Sequence, residues 1–360
     1  MAAGFRRGAD GTWSEHTPGI SRQTVRVHQL IQRATRDALP LDQQHAAART
    51  AADALLAAWP EVERDTALGQ ALRGNATALI ADATDALYLP DTHAVLYRTG
   101  RSLGEAGQVT AAIAHFLCLA DTASRFLGPD HPDTLTIRHD LAGWQGEAGD
   151  AAGAAASLAE LLANRLRVLG ANHPDTLTTR HNLARWRGEA GDAAGAAASL
   201  AGLLEDMARV LGGDHPDTLT TRHNLARWRG RAGDAAGAVD ALADLLPDQL
   251  RVLGEDHPDT LITRGYLGYW RGAAGNAAGA VDALADLLPD QLRVLGEDHP
   301  DTLITRGYLA RWRGEAGDAA GAAGALAELL EHKVRVLGHD HPHTLATREL
   351  LTYWRGQAQR

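Results

Sequence analysis

The chain has 360 residues, 45% of them hydrophobic, and a formal charge of -10 at pH 7. This acidic balance argues against nucleic acid as the main partner, because phosphate contacts need clustered Lys and Arg. One cysteine, Cys118, excludes a disulfide framework and favours a reducing compartment such as the cytoplasm. The sequence shows neither a signal peptide nor an apolar run long enough to cross a bilayer, so we expect no membrane partner.

The N-terminal quarter of the chain carries the weakest patterns. Residues 1–23 are rich in Gly, Arg and Ser without periodicity, which predicts a disordered or irregular arm. Residues 24–40 begin with strand-like alternation and continue as a helix that ends at a proline. Residues 41–89 are predicted to be a helical N-terminal segment or cap. It consists of one helix up to Pro60, then one long or two shorter helices, with Asn75 as the candidate break.

From residue 90 to residue 360 the chain repeats itself every 42 residues. The motif LGxxHPDTL first occurs at Leu127–Leu135 and returns without insertion or deletion, and a worn copy lies one period earlier. A fixed period of this length predicts a solenoid, in which each repeat is one supersecondary unit stacked on its neighbours. The repeats begin near residues 90, 132, 174, 216, 258, 300 and 342.

Each period predicts two antiparallel helices, which we call helix A and helix B. Pro132 suits the first position of helix A, where its missing N–H costs nothing, and Asp133 is favoured there by the helix dipole. Gly149 ends helix A. Asp150 is the N-cap candidate for helix B, which Gly170 ends. The predicted fold class is therefore all-α, a solenoid of six helix pairs plus a terminal helix.

This layout resembles tetratricopeptide repeats, specifically the 42-residue kind with LGxxHP linkers found in kinesin light chains and many bacterial regulators. Leu141 and Ala142 fill the helix A pair of that family's pattern, and Ala154 and Leu158 fill the helix B pair. The early aromatic position departs from the pattern and carries Arg138. The resemblance implies a right-handed superhelix with a small, mostly helical N-terminal segment. It also implies a scaffold that binds a peptide or protein segment in its concave groove.

Residues 24–39, TVRVHQLIQRATRDAL, resemble the end of the winged-helix domain of STAND-type ATPases. His28 would stand where that family places a histidine near the nucleotide phosphates, with Val27 for Met and Gln29 for Asp. No GxxxxGK[ST] loop occurs in the sequence to hold those phosphates. The alternative function is the ligand-sensing arm of a STAND-type regulator whose nucleotide-binding domain is absent from this chain.

One face of helix A is predicted to line the groove, and its residues change along the stack from polar and His-lined to apolar and aromatic. Exposed Tyr and Ile in a concavity suit partner anchoring. Two alternatives stay open: these positions are merely solvated, or Tyr266 and Tyr308 pack between repeats. The candidate partner-binding residues are His139, His181, Arg185, His223, Arg227, Ile262, Tyr266, Tyr269, Ile304, Tyr308, Arg311 and Tyr353.

Two further sets of residues recur at the repeat spacing. The tryptophans are predicted to form the core between repeats, with a stacking platform for bases or sugars as the alternative. The arginines are predicted to pair with nearby acids such as Asp133 and its equivalents, because a buried unpaired guanidinium is too costly. The tryptophans are Trp144, Trp186, Trp228, Trp270, Trp312 and Trp354. The arginines are Arg138, Arg180, Arg222, Arg264, Arg306 and Arg348.

The remaining chemistry-bearing residues predict no catalysis. The His of each HPDT motif is expected to cap or pack at a helix start, because successive copies lie too far apart to share a metal ion. One local cluster, His339, His341 and His343, is the metal candidate. We find no nucleophile–base pair and no Cys/His quartet, so we expect no enzyme and no cofactor. Pro247 and Pro289 fall inside helix B and predict kinks there.

Overall fold

The computed structural model describes residues 4–7, 13–16, 38–60, 63 and 65–360. By contacts the chain divides into two compact units, residues 1–95 and 96–360. This division falls six residues beyond the predicted boundary at 89/90. Residues 24–37, which carry most of the segment that resembles a winged helix, lie outside the described residues.

Two short strands lie within the segment that is predicted to be a disordered or irregular arm. β1 (Gly4–Arg7) and β2 (Trp13–His16) pair antiparallel, with Gly4 opposite His16 and Arg7 opposite Trp13. The five residues between them in sequence, GADGT, include an Asp-Gly pair, which is a common hairpin signal. The absence of sequence periodicity in the arm therefore does not exclude a local pair of strands.

The rest of the first unit is helical over its described residues. α1 (Leu41–Ala58) is followed by α2 (Thr66–Asp82) and the short α3 (Thr84–Tyr88). The break between α2 and α3 lies at Ala83, with φ -143° and ψ 42°, rather than at Asn75. Asn75 is an exposed position inside α2, where a single Asn is tolerated at small cost.

The second unit is a stack of antiparallel helix pairs, and the predicted all-α solenoid is confirmed. Each helix packs mainly against its neighbours in sequence. No helix in the described part of the chain is long and apolar enough to span a membrane. The pairs are α4 (Ala94–Glu105) with α5 (Val109–Phe126), α6 (Pro132–Glu147) with α7 (Ala151–Val168), α8 (Pro174–Glu189) with α9 (Ala193–Val210), α10 (Pro216–Arg231) with α11 (Ala235–Val252), α12 (Pro258–Ala273) with α13 (Ala277–Val294), and α14 (Pro300–Glu315) with α15 (Ala319–Leu337), followed by the terminal α16 (Pro342–Ala358).

The predicted helix ends are confirmed. They could be predicted because they depend on residues that are close in sequence. His131 caps α6: its Nδ1 accepts the backbone N–H of Asp133 at 3.2 Å, and Pro132 occupies the first turn. Asp150 caps α7 by accepting the N–H of Gly153 at 2.8 Å. Between these helices Gly149 adopts φ 98°, a left-handed conformation that favours glycine.

The core of the second unit lies between repeats, as Trp186 illustrates. One cluster joins Leu135 and Ala142 of α6 and Leu158 of α7 to Leu183 and Trp186 of the next repeat. The indoles at this register are buried in five repeats, and Trp144 is half-buried. Because every cluster combines side chains of adjacent repeats, no helix pair buries its apolar face alone.

The internal prolines neither break nor shorten their helices, and the kinks expected at these sites stay a prediction. α11 and α13 run through Pro247 and Pro289 with the same 18-residue length as α9, which has no internal proline. Proline at 247 removes the hydrogen-bond partner of the Ala243 carbonyl. Ala243 and Pro247 are both exposed, so water can satisfy that carbonyl. The equivalent residues of α13 are exposed in the same way.

Three of the six repeated arginines, Arg180, Arg222 and Arg264, pair with acids of helix B and not with the equivalents of Asp133, so the partners predicted for these three are wrong. Arg306 contacts the helix B residue His332 instead. Arg180 Nη1 donates to Asp206 Oδ2 at 2.7 Å, and Arg222 Nη1 donates to Asp248 Oδ2 at 2.7 Å. Each acid is 26 residues further along the chain. The guanidinium therefore spans the two helices of its own repeat instead of turning back to the start of its own helix.

Candidate partner-binding groove

The predicted groove residues lie on the first helices of successive repeats, α6, α8, α10, α12, α14 and α16. Most are half-buried, so each side chain contacts the neighbouring repeat and also reaches solvent. The structure sorts them into a column of histidines, a row of ion pairs, an aromatic cluster and a depression.

The imidazole of His181 joins two repeats through both ring nitrogens. The Thr221 hydroxyl donates to the backbone carbonyl of Asp217 at 2.8 Å, so it accepts the Nδ1–H of His181, 2.9 Å away. Nε2 is then the acceptor of a neutral ring, and the Asn224 amide donates to it at 3.1 Å. Burial, assisted by the charge of Arg185, lowers the pKa of His181 to about 4. The ring is neutral at pH 7 and forms part of the contact between repeats.

Two other histidines extend the same column. Nε2 of His139 accepts from the Asn182 amide at 2.8 Å. Nδ1 of His223 lies 2.9 Å from Oγ1 of Thr263, and burial lowers the pKa of His223 to about 4. The register that holds Asn in the earlier repeats holds Tyr266 here, and its ring meets the imidazole edge-on at 5.1 Å. Tyr266 thus packs between repeats on one side, and on the other it lines the depression described below.

The arginines on this face form a row of ion pairs between repeats. Arg185 Nη2 donates to Glu147 Oε1 at 2.8 Å, and Arg227 Nη2 donates to Glu189 Oε1 at 2.6 Å. Arg231 shares Glu189 at 3.1 Å. The guanidinium groups of Arg185 and Arg227 also lie over the indole of the following residue, 4.4 and 4.8 Å from the ring centre.

Aromatic side chains replace these ion pairs further along the stack. The ring of Tyr269 lies 4.5 Å from that of Tyr308 and 5.8 Å from that of Trp312. Arg311 lies over Tyr269 at 5.9 Å and makes no ion pair with any described residue. The position that supplies the acid in earlier repeats is Ala273 here. Burial raises the pKa of Tyr308 above its usual range.

A depression of about 300 Å³ opens beside Tyr266. It gathers four of the predicted groove residues, from two successive repeats, with polar residues that the sequence interpretation did not single out for binding. Ile304 is half-buried on α14 and belongs neither to the aromatic cluster nor to the depression. Tyr353 is 52% exposed on α16, and its ring lies edge-on to that of Trp354 at 4.9 Å. The depression is lined by Thr220, His223, Asn224, Arg227, Gln249, Asp259, Ile262, Tyr266 and Asp301.

Comparison with known families decides what kind of stack this is. One tetratricopeptide repeat model matches residues 91–166, and a second matches residues 176–217 and 218–259. The chain carries tetratricopeptide repeats. A comparison with curated proteins gives no match.

Several solved structures resemble this tetratricopeptide stack. A kinesin light chain-like protein of Podosopora anserina with nearly identical repeats is 27% identical, with 57% of this chain and 97% of that chain covered and a TM-score of 0.49. A tetratricopeptide repeat protein from Parabacteroides merdae ATCC 43184 is 12% identical, with 86% and 99% covered and a TM-score of 0.57. A Rap protein is 12% identical, with 92% of each chain covered and a TM-score of 0.56. The last two likenesses show the fold, and a tetratricopeptide array of this kind supports a protein-interaction scaffold.

Two kinds of residue were not predicted from the sequence: those that hydrogen-bond to the column of histidines, and the helix B residue that lines the depression. Asn182 and Asn224 bond to the histidine one repeat earlier, and Gln249 comes from helix B. A signal for the last position exists in the sequence. The register of Gln249 holds residues of very different polarity, and all five are buried: Arg165, Met207, Gln249, Gln291 and Lys333.

The metal candidate at the last LGxxHP linker includes a histidine that caps a helix. Nδ1 of His341 accepts the backbone N–H of His343 at 3.2 Å, and the two rings stack 5.3 Å apart. His341 thereby caps α16 as its equivalents cap the other first helices. Over the described residues, no three His, Cys, Asp or Glu side chains are grouped in a way that could hold a metal ion.

Proposed function

We propose that this chain is a protein-interaction scaffold that holds a peptide or protein segment along the helix A face of its tetratricopeptide stack. The observation that carries the proposal is the aromatic cluster of Tyr269 and Tyr308. Both rings are half-buried, so they keep exposed apolar area on a rigid support. Tyrosines held in this way give a partner large contact area at small loss of side-chain entropy.

The contrast between core and groove registers also supports this proposal. Leu135 and its equivalents Leu177, Leu219, Leu261 and Leu303 are all buried leucines. The groove register of Arg185 holds Arg, Tyr, Arg and Tyr in the four following repeats. Tyr269 and Tyr353 thus place aromatic area at a register that reaches solvent, which suits contact with a partner.

A structure of the same fold holds a partner. The similar Rap protein was solved in complex with Competence and Sporulation Factor. That partner belongs to the Rap protein. For this chain the complex supports only the proposal that a stack of such helix pairs can act by binding.

Selection of displayed random dodecapeptides on the full chain tests the proposal. We expect a family of binding peptides, and Tyr269→Ala should weaken the best of them at least about tenfold, as the loss of a central aromatic anchor does. The Kd is measured by fluorescence anisotropy, and circular dichroism checks that the variant keeps its helices.

Leu292→Ala is the matched control, because Leu292 is 43% exposed on helix B, away from the predicted groove residues. It should leave the Kd unchanged. Failure to select any peptide, or equal weakening by Tyr269→Ala and Leu292→Ala, would refute binding along the helix A face.

A further inference from the structure

The depression beside Tyr266 has two carboxylates in its wall. Asp259 lies in the first turn of α12 and Asp301 in the first turn of α14. The Asp259 carboxylate makes no hydrogen bond or ion pair with any residue that the structure describes. For Asp301 the ion-pair partner is His299, at 3.7 Å, and that pair exists only when the imidazole is protonated. The depression therefore offers anionic oxygens that remain available to a ligand.

A second, independent feature of the same depression is a buried amide. Gln249 is only 1% exposed, and its Oε1 is buried without a hydrogen-bond donor among the described residues. Buried acceptors are normally satisfied, because an unpaired one forfeits its hydration. The same is true of Gln291 Oε1 one repeat later, but at the depression the unpaired oxygen lies in a wall that also holds two carboxylates, so a donor from a ligand can complete the site.

The neighbouring repeats show that this combination is specific to one place in the stack. One repeat earlier, Met207 replaces the amide, and Thr220 and Asn224 stand where the depression has Ile262 and Tyr266. One repeat later the amide is kept as Gln291, but His343 replaces the second carboxylate. Among the repeats that the structure describes, two carboxylates, an unpartnered amide and an apolar wall coincide at this depression alone.

We propose that the depression takes a lysine side chain of the partner segment. An ammonium group has three N–H donors and no acceptor, which matches the two carboxylates and the amide oxygen. Ile262 and Tyr266 then cover the apolar stem of the lysine. Arg227 also lines the depression, but Glu189 pairs with it at 2.6 Å. This assignment depends on the proposed function and adds the chemistry of one recognised side chain.

The test begins with the peptides selected on the full chain, which should share a lysine. The best peptide is synthesised with an acetylated N-terminus, so that its α-amino group cannot supply the ammonium. A second version carries norleucine, which keeps the stem and removes the charge. We expect the norleucine peptide to bind at least about tenfold more weakly, as the loss of one partner of a desolvated charge pair does.

Protein variants test whether the lysine binds in the depression. Asp259→Asn and Gln249→Met should each weaken the lysine peptide about tenfold and leave the norleucine peptide almost unchanged. Methionine fits at this register, because Met207 occupies it one repeat earlier. Asp217→Asn and Gln291→Met are the matched controls at neighbouring repeats, and they should change the Kd less than about threefold.

The possible outcomes separate this proposal from the function on which it rests. If peptides bind and lose affinity with Tyr269→Ala, but norleucine or arginine serves as well as lysine, the lysine site is refuted and the scaffold stands. Equal effects of Asp217→Asn and Asp259→Asn would show a general charge effect and also refute the site. Selection of no peptide refutes both.

Discussion

At the scale of single residues, the stack is held in register by pairs of glycine and tryptophan that lie 40 residues apart. A methyl group at Gly188 would lie 2.7 Å from the ring of Trp228, which is fully buried in the next repeat. The same contact recurs in five other pairs: Gly104 with Trp144, Gly146 with Trp186, Gly230 with Trp270, Gly272 with Trp312, and Gly314 with Trp354. The glycine is thus required because the indole lies directly against the helix backbone.

Replacement of either partner should destabilise the stack, by different mechanisms. Trp228→Ala leaves a cavity and should lower the free energy of unfolding by roughly 3–5 kcal/mol. Gly188→Ala overpacks the contact and should lower it by roughly 1–3 kcal/mol. Gly143→Ala is the control: no atom lies within 4 Å of its Cβ position, so a gain of up to about 1 kcal/mol is expected. Urea denaturation measures all three, and a neutral Trp228→Ala would contradict the placement of the indole.

The buried histidines make stability depend on pH. His181 and His223 titrate at about 4 in the folded chain, against about 6.5 when unfolded. Between these values the unfolded chain binds more protons, so their contribution is complete above pH 6.5 and is lost as the pH falls towards 4. We expect the free energy of unfolding to drop by roughly 1–3 kcal/mol per histidine across this window.

The loss of stability due to these histidines can be distinguished from that due to the acids, because the two occur over different pH ranges. Arginine hydrogen bonds lower the pKa of Asp206 and Asp248, so those groups act below the window. Urea denaturation at several pH values, with His181→Gln combined with His223→Gln, measures the effect. A profile as steep in this variant as in the unchanged chain would show that other groups are responsible.

At the scale of helices, the two kinds of proline should behave differently. Pro247 lies inside α11, where it removes a hydrogen bond, and Pro258 lies at the start of α12, where it removes none. Pro247→Ala should raise the free energy of unfolding by about 1–2 kcal/mol, after the greater freedom of the unfolded chain is counted. Pro258→Ala should change it by less than about 1 kcal/mol. Chemical denaturation compares the two, and a destabilising Pro247→Ala would mean that the proline is required for packing.

The helices could be predicted from the sequence because their ends depend on neighbours in the chain. His131 caps α6, Pro132 starts it and Gly149 ends it, whatever the helix packs against. The partner of Arg180 could not be predicted, since Asp206 is selected by the angle between two helices across a turn. The atoms that contact His181 could not be predicted from the repeat period either, because they belong to residues of the next repeat.

The groove shows the same division between local and tertiary information. Helical spacing placed His223, Arg227, Ile262 and Tyr266 on one face, and the structure gathers them around one depression. The contribution of Gln249 from helix B depends on how the two helices of a repeat face each other, which a pattern on helix A cannot contain.

At the scale of the whole second unit, each repeat interacts with its immediate neighbours in the same way. Residues 235–267 are identical to residues 277–309. Both copies reproduce the same contacts: Arg251 bonds Asp214 at 2.5 Å, and Arg293 bonds Asp256 at 2.5 Å. The stability of such a stack is close to a sum over repeats and their interfaces, so its length can change by whole periods.

Deletion of residues 235–276 joins Asp234 to Ala277 and removes one period. We expect a folded chain with unchanged helicity per residue by circular dichroism and a Tm lowered by no more than about 10 °C, because one interface is lost and the others are rebuilt. Deletion of half a period, residues 235–255, should abolish cooperative unfolding, since first helices would then face the wrong partners. If both deletions behave alike, the nearest-neighbour description is wrong.

The same deletion separates folding from recognition. In the shortened stack Gln291 and Asp301 take the registers of Gln249 and Asp259, and His343 takes that of Asp301. The apolar wall persists through Ile304 and Tyr308, but one of the two carboxylates is gone. The deletion also removes Tyr269, whose register Arg311 takes. A lysine-bearing peptide should therefore bind more than about tenfold more weakly to a stack that remains folded, because both the aromatic anchor and one carboxylate are lost. Full affinity in the shortened chain would contradict both the Tyr269 anchor and the lysine site.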